Sequence, residues 1–204
     1  MALRLLPFRQ YNEHDVVNMY ALESDLALES TTGDGQGSNG VFVTVTDGNF
    51  DQDVITYGSN SYLGKTDYPF VGGDMYPTNP LTISGATSGQ KPLGLTLNQT
   101  AKEDENGEKL LYNSTKREEL QSVLPGQSVP VATRGIFTLA QAAFDGTLTV
   151  GSGVKMSDSN DGKVAVADPS DTAAFGTVIG TGSRTSQGGL TDLFAGNFAI
   201  VKID

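Results

Sequence analysis

From residue 128 to residue 204 the chain is a ladder of short apolar runs cut by glycine. The runs occupy 128–133, 135–139, 147–150, 154–156, 163–167, 176–180 and 197–204. Each is long enough for one strand, and each gap between them reads as a turn. Little in those gaps carries chemistry. The pattern predicts a β protein whose product is a surface rather than a reaction.

Length and composition narrow this further. A chain of 204 residues fits one large β domain or two small ones, and either size buries a core. Glycine, at 25 residues without a collagen-like period, goes into turns. The chain has no cysteine, which removes disulfide and thiolate chemistry. No stretch approaches the roughly 20 apolar residues of a membrane-spanning helix. The first residues carry Arg4 and Arg9 without the apolar core of a signal peptide, so the expectation is synthesis in a cytoplasm without general secretion. A net charge of −11 argues against nucleic acid as the main partner, because phosphate binding needs clustered lysine and arginine.

The charge is uneven. Residues 1–9 hold two arginines and no acid, while residues 10–64 hold Glu13, Asp15, Glu23, Asp25, Glu29, Asp34, Asp47, Asp51 and Asp53 and no lysine or arginine. A basic, apolar segment therefore precedes an acidic body. Two placements follow for it: a strand docked on its own domain, or an arm that reaches a neighbouring subunit.

Along the chain, dense β-branched and aromatic residues predict a strand through 16–22. Residues 31–40 read as a flexible loop. The run 40–46 predicts a strand with Val41, Val43 and Val45 on one face. Short strands follow at 54–57 and 92–97, separated by long loops at 58–92. Asn106-Gly107 predicts a hairpin turn with 110–112 as its return strand. Thr115 and Glu118 have capping-box spacing ahead of Leu120, Val123 and Leu124, which predicts a short helix near 116–124 ended by Pro125-Gly126. The expected organisation is an N-terminal arm and first strand (1–30), an N-terminal β part (31–114), a helical linker (115–125) and a C-terminal β domain (126–204). The fold class is mainly β, as small β-barrel, β-tulip or sandwich domains with long loops.

Catalytic constellations are weak. His14 is the sole histidine, so no triad or zinc site is available, and it reads as a polar strand or interface residue. Carboxylate pairs arise in any chain with 24 acids, and the absence of tryptophan weakens a glycan-hydrolysing reading. Asp158-Ser-Asn-Asp-Gly162 resembles the start of a calcium loop but lacks one spacer and the closing glutamate, so it reads as a polar hairpin turn. Residues 180–189 are glycine-rich without the Gly-Lys-Ser/Thr ending of a phosphate loop, and read as a mobile loop. No catalytic, cofactor or metal residue is assigned, and the protein is not expected to be an enzyme.

The order of the ladder carries a resemblance. A proline-bearing strand Val129-Pro-Val is followed by Gly135-Ile-Phe-Thr-Leu, then Gly146-Thr-Leu-Thr-Val-Gly-Ser-Gly-Val-Lys-Met, Asp161-Gly-Lys-Val-Ala-Val, Gly176-Thr-Val-Ile-Gly-Thr-Gly and a final Phe198-Ala-Ile-Val-Lys-Ile-Asp. This resembles head-decoration, or capsid cement, proteins of tailed bacteriophages. The segments Leu6-Pro-Phe-Arg-Gln-Tyr and Pro92-Leu-Gly-Leu-Thr-Leu-Asn-Gln-Thr look like virion proteins of the myovirus type. The resemblance covers about 75 residues at the C-terminus and the rest more weakly.

It implies a structural protein on the outer surface of a virion capsid, with the major capsid protein as partner and a homotrimer as assembly. No nucleic acid, membrane or cofactor is implied. The N-terminal segment is then the expected grip: Leu3, Leu5, Leu6 and Phe8 as apolar anchors, and Arg4 and Arg9 meeting acidic patches. Another virion role (tail, neck or fibre) and a glycan-binding module using Tyr57, Tyr62, Tyr68 and Tyr76 remain alternatives.

Overall fold

The computed structural model describes residues 4–22, 39–47, 81–100, 104, 106–124, 126–185 and 195–204, and the structural statements below concern these. Strands β1 (Leu5–Gln10), β2 (Val16–Val17), β3 (Ala21–Leu22), β4 (Phe42–Asp47), β5 (Thr82–Gly85) and β6 (Gly94–Thr96) precede one helix, α1 (Ser114–Leu120). Strands β7 (Val131–Ala132), β8 (Gly135–Ala140), β9 (Gly153–Met156), β10 (Val164–Ala167), β11 (Gly176–Arg184) and β12 (Gly196–Ile203) follow it.

The protein is mainly β, as expected, and is built from two six-stranded sheets rather than closed barrels. The first has the order β1-β8-β12-β11-β9-β10, and the second the order β2-β7-β6-β4-β5-β3. Alternation explains the first sheet. Phe137 and Leu139 of β8 stand opposite Val201 and Ala199 of β12, and Val178 of β11 stands opposite Val201. Opposite residues share a face, and these five, with Leu5, Val154, Met156 and Val164, form the main core.

The second sheet completes that core and holds another. Phe42, Leu95 and Ala132 point into the main core, while Val41, Val43 and Val131 join Leu22, Ile83 and Val129 in a second cluster on the other side. The sheet curls around this second cluster, and an Ala21–Ser128 bridge ties β3 back to the segment before β7. Val41 and Val43 share a face as expected, whereas Val45 is 37% exposed where the strand leaves the core. A smaller cluster of Leu110 and Leu124, with Leu111 and Leu120 against it, underlies α1.

Several local expectations are corrected. The helix begins two residues early: its N-cap is Asn113, whose Oδ1 accepts from Lys116 N at 3.1 Å, so Thr115 lies inside the helix. It ends at Gln121, held at φ 51°, rather than running to residue 124. The run 147–150 forms no strand. Residues 16–22 split into β2 and β3. Residues 110–112 form a turn rather than a return strand, although the chain does turn at Gly107, whose N–H donates to Asp104 O at 3.1 Å. Residues 180–184 extend β11 rather than forming a loop. The expected strand at 54–57 lies outside the described residues.

Sheet membership also cuts across the expected division at residue 126. β1 joins the C-terminal strands through β8, and β7 joins the second sheet through β2 and β6. The chain steps between sheets within Thr133 and Arg134, where β7 gives way to β8.

Candidate functional site

The N-terminal segment is the expected grip on a partner. Its first half is turned inward. Arg4 is 0% exposed and donates from Nη1 to the carbonyl oxygen of Gly162 at 2.9 Å. Leu5 lies in the main core, and Leu6 is 6% exposed. These three side chains anchor the segment to its own domain and are not available at the surface, which corrects their expected role as partner contacts. Leu3 lies outside the described residues. The second half faces outward: Phe8 is 62% exposed and Arg9 is exposed.

The segment then continues along the body. Tyr11 stacks on Phe137, with ring centroids 5.8 Å apart and planes at 19°. His14 sits in a single exposed 3-10 turn, Glu13–Asp15, and its backbone N–H donates to Asn12 Oδ1 at 3.2 Å. Thr133 closes the following step, donating from its backbone N–H to Asp15 O at 2.9 Å. β1 is thus an edge of the first sheet and β2 an edge of the second. One stretch of chain, residues 5–17, supplies a margin of both sheets. Among the described residues, neither strand has a second ladder partner on its outer side. Pro7 interrupts the donor row of β1, a common way to blunt an edge strand. Phe8, Tyr11 and Met19 leave apolar surface exposed along this margin.

Polar chemistry elsewhere is structural. The polar hairpin between β9 and β10 forms as expected. Asp145 Oδ2 accepts from Ser157 Oγ and, at 2.9 Å, from Asn160 Nδ2, which ties that hairpin to the 144–146 turn. Lys155 Nζ lies 3.2 Å from both Asp158 and Asp171. The hydrogen bond to Asp171, then that to Asp158, raises the Lys155 pKa. The Ser88 hydroxyl, then Lys155, lowers that of Asp158. Among the described residues no group of three or more His, Cys, Asp or Glu side chains gathers as a metal site, and no helix is long and apolar enough to cross a membrane.

A second exposed margin lies within the first sheet, on β11. β11 outruns its neighbour β9, which pairs only with Gly176 and Thr177. Beside the protruding part is an open groove of about 280 Å³. Phe144, Leu148 and Ala199 give it an apolar floor, and Thr181, Ser183 and Asn197 give it uncharged polar walls. Sequence reading missed this margin by treating 180–189 as a loop. The alternation of glycine with Thr181 and Ser183 was the available signal, since a period of two is a strand's.

No family model matches the chain, and no curated protein or solved structure matches it either.

Proposed function

We propose that the protein is a structural capsid decoration protein that binds the outer surface of a phage head and stabilises contacts between major capsid subunits. The observation that supports this reading is the N-terminal margin: strand edges of both sheets, unpaired among the described residues and carried by one segment, with Phe8, Arg9 and Tyr11 exposed along it. An extended capsid segment would add to this edge through main-chain hydrogen bonds on either side of Pro7, which offers no donor. Phe8 and Tyr11 would supply apolar contact, and Arg9 would meet acidic side chains. Arg4, Leu5 and Leu6 act from behind, holding the margin in place so that little ordering entropy is lost on binding. Many copies acting together would make modest single contacts sufficient. The reading assigns no catalytic, metal or cofactor role.

The test is to mix the purified protein with expanded capsids that lack it. Saturable labelling of the shell and a raised disruption temperature are expected. The double variant Phe8→Asp/Arg9→Glu should remain folded and lose at least tenfold in affinity, about 1.4 kcal/mol or more. Labelling confined to tail tips would assign a different virion role. Retention on a polysaccharide column without capsid binding would favour the glycan-binding alternative, whose Tyr57, Tyr62, Tyr68 and Tyr76 lie outside the described residues.

A further inference from the structure

The chain contains two Asn-Gly steps, Asn39-Gly40 and Asn106-Gly107. Such steps are the most prone to lose ammonia, because glycine places no Cβ in the way of its own amide nitrogen. The fold treats the two oppositely. Gly40 is buried, and its N–H donates to Thr96 O at 2.6 Å. The N-terminal segment covers it: a Cβ built on Gly40 would lie 3.0 Å from Leu5 Cβ and 3.5 Å from Arg4 Cβ. Asn106 and Gly107 are both exposed, and a Cβ on Gly107 would meet nothing within 4 Å. Among the described residues the Asn106 side chain has no hydrogen-bond partner. The Gly107 N–H is held only by Asp104 O, at 3.1 Å.

We propose that Asn106 is a self-modifying site, converting to isoaspartate and aspartate in the folded protein, while Asn39 is preserved. The Gly107 nitrogen, on losing its proton, attacks Asn106 Cγ. The N–Cγ bond forms, the Cγ–Nδ2 bond breaks, and Nδ2 leaves as ammonia with the proton that Gly107 gave up. Water then opens the cyclic imide. Attack at Cγ restores the ordinary peptide link and leaves aspartate. Attack at the Asn106 backbone carbonyl carbon leaves the chain running through Cγ, as isoaspartate. Water is the only co-reactant, and nothing is oxidised or reduced. At Gly107 the reaction waits on the opening of one surface hydrogen bond, whereas at Gly40 it waits on the release of Arg4 and Leu5. Local opening is easier where few buried contacts hold the chain. The product alters the turn. Asp104 Oδ1 accepts from Asn106 N and Glu108 N, each at 2.8 Å, and Asp104 N donates to Glu108 O at 3.0 Å. Isoaspartate inserts an additional main-chain carbon between residues 106 and 107, inside the loop that these bonds close. Either product adds a negative charge beside Asp104 and Glu108. The site does not depend on what the protein binds.

Incubation of the full chain at mildly alkaline pH, folded or unfolded in guanidinium chloride, tests it. Peptide mapping by mass spectrometry follows each site, and an isoaspartate-specific methyltransferase reports the rearranged product. In the folded chain Asn106 should convert at least tenfold faster than Asn39, with isoaspartate among its products. In the unfolded chain Asn39 should react at a rate close to that of Asn106, because the packing that separates them is gone. Anion exchange should resolve a more acidic species as the folded parent ages. Asn106→Gln, shown by circular dichroism to be folded, should form that species far more slowly, since a glutamine side chain must close a larger ring. Asn106 as slow as Asn39 in the folded chain, aspartate without isoaspartate, Asn39 inert even when unfolded, or an acidic species formed equally by Asn106→Gln would each overturn the proposal.

Discussion

Arg4 and Gly162, 158 residues apart in sequence, are joined by a 2.9 Å hydrogen bond from Arg4 Nη1 to the Gly162 carbonyl. The same carbonyl accepts from Phe42 N at 3.2 Å, and Gly162 N–H donates to Ala86 O at 2.9 Å. Ala86 N–H in turn donates to Phe42 O at 2.9 Å. The hairpin that carries Gly162 belongs to the first sheet, while Phe42 and Ala86 lie at the β4–β5 pair of the second. Gly162 is therefore the junction of the two sheets, and Arg4 fixes the N-terminal segment to that junction.

Arg4→Ala should destabilise the protein by about 2–4 kcal/mol, through a lost hydrogen bond from a charged donor and the cavity left behind. Arg4→Met should recover part of this, because it refills the volume without the donor. Urea denaturation monitored by circular dichroism measures both. Two variants indistinguishable from the parent would remove Arg4 from the junction.

Gly162→Ala should cost more than Gly146→Ala, although both glycines have nearly the same φ, +70° and +71°. A left-handed conformation costs a non-glycine residue about 1–2 kcal/mol, and this applies to both. At Gly162 the added Cβ would also sit 2.6 Å from Val41 Cγ1, while at Gly146 nothing lies within 4 Å. The expected order of melting temperatures is parent, then Gly146→Ala, then Gly162→Ala.

Thr138→Val should stabilise the protein by about 1 kcal/mol. Thr138 is 5% exposed, and its buried Oγ1 has no hydrogen-bond partner among the described residues. Valine keeps the shape and removes the desolvated hydroxyl. A drop in the denaturation midpoint would show that the hydroxyl is satisfied in solution.

Asn113→Ala should cost about 1 kcal/mol by removing the helix cap, whereas Thr115→Ala, inside the helix, should be nearly neutral. Equilibrium unfolding compares them directly. The reverse order would reinstate the capping box read from sequence.

The Lys155 cluster should respond to pH at both extremes. The Asp158 pKa is lowered from its ordinary 3.8, so its contribution is complete above that value and is lost as pH falls through the depressed pKa. The Lys155 pKa is raised from 10.5, so its contribution is complete below that value and is lost as pH rises beyond it. Stability contributed by the cluster should be flat between these limits. Lys155→Met should remove the alkaline loss and shrink the acid one, with a small effect at neutral pH because the pairs reach solvent. Unfolding midpoints across the pH range measure this.

The sequence by itself determined the class of fold and most of the C-terminal strands. Alternation at 135–139, 163–167 and 197–203 is a local property, and it places Phe137, Leu139, Val201 and Ile203 on a buried face wherever the strands go. It also showed that the N-terminal segment is apolar and basic, but not which residues face out. That depended on the pairing of β1 with β8, some 130 positions away, and on the carbonyl at Gly162, neither of which leaves a local trace. The same holds for β11: five residues read as a loop became an exposed edge because β12 pairs with them across their length while β9 stops short. Short-range patterns fix whether a stretch can be a strand. Which strands meet, and which edges are left unpaired, is decided by long-range packing of the two sheets around a shared core, and the surface this protein presents follows from that.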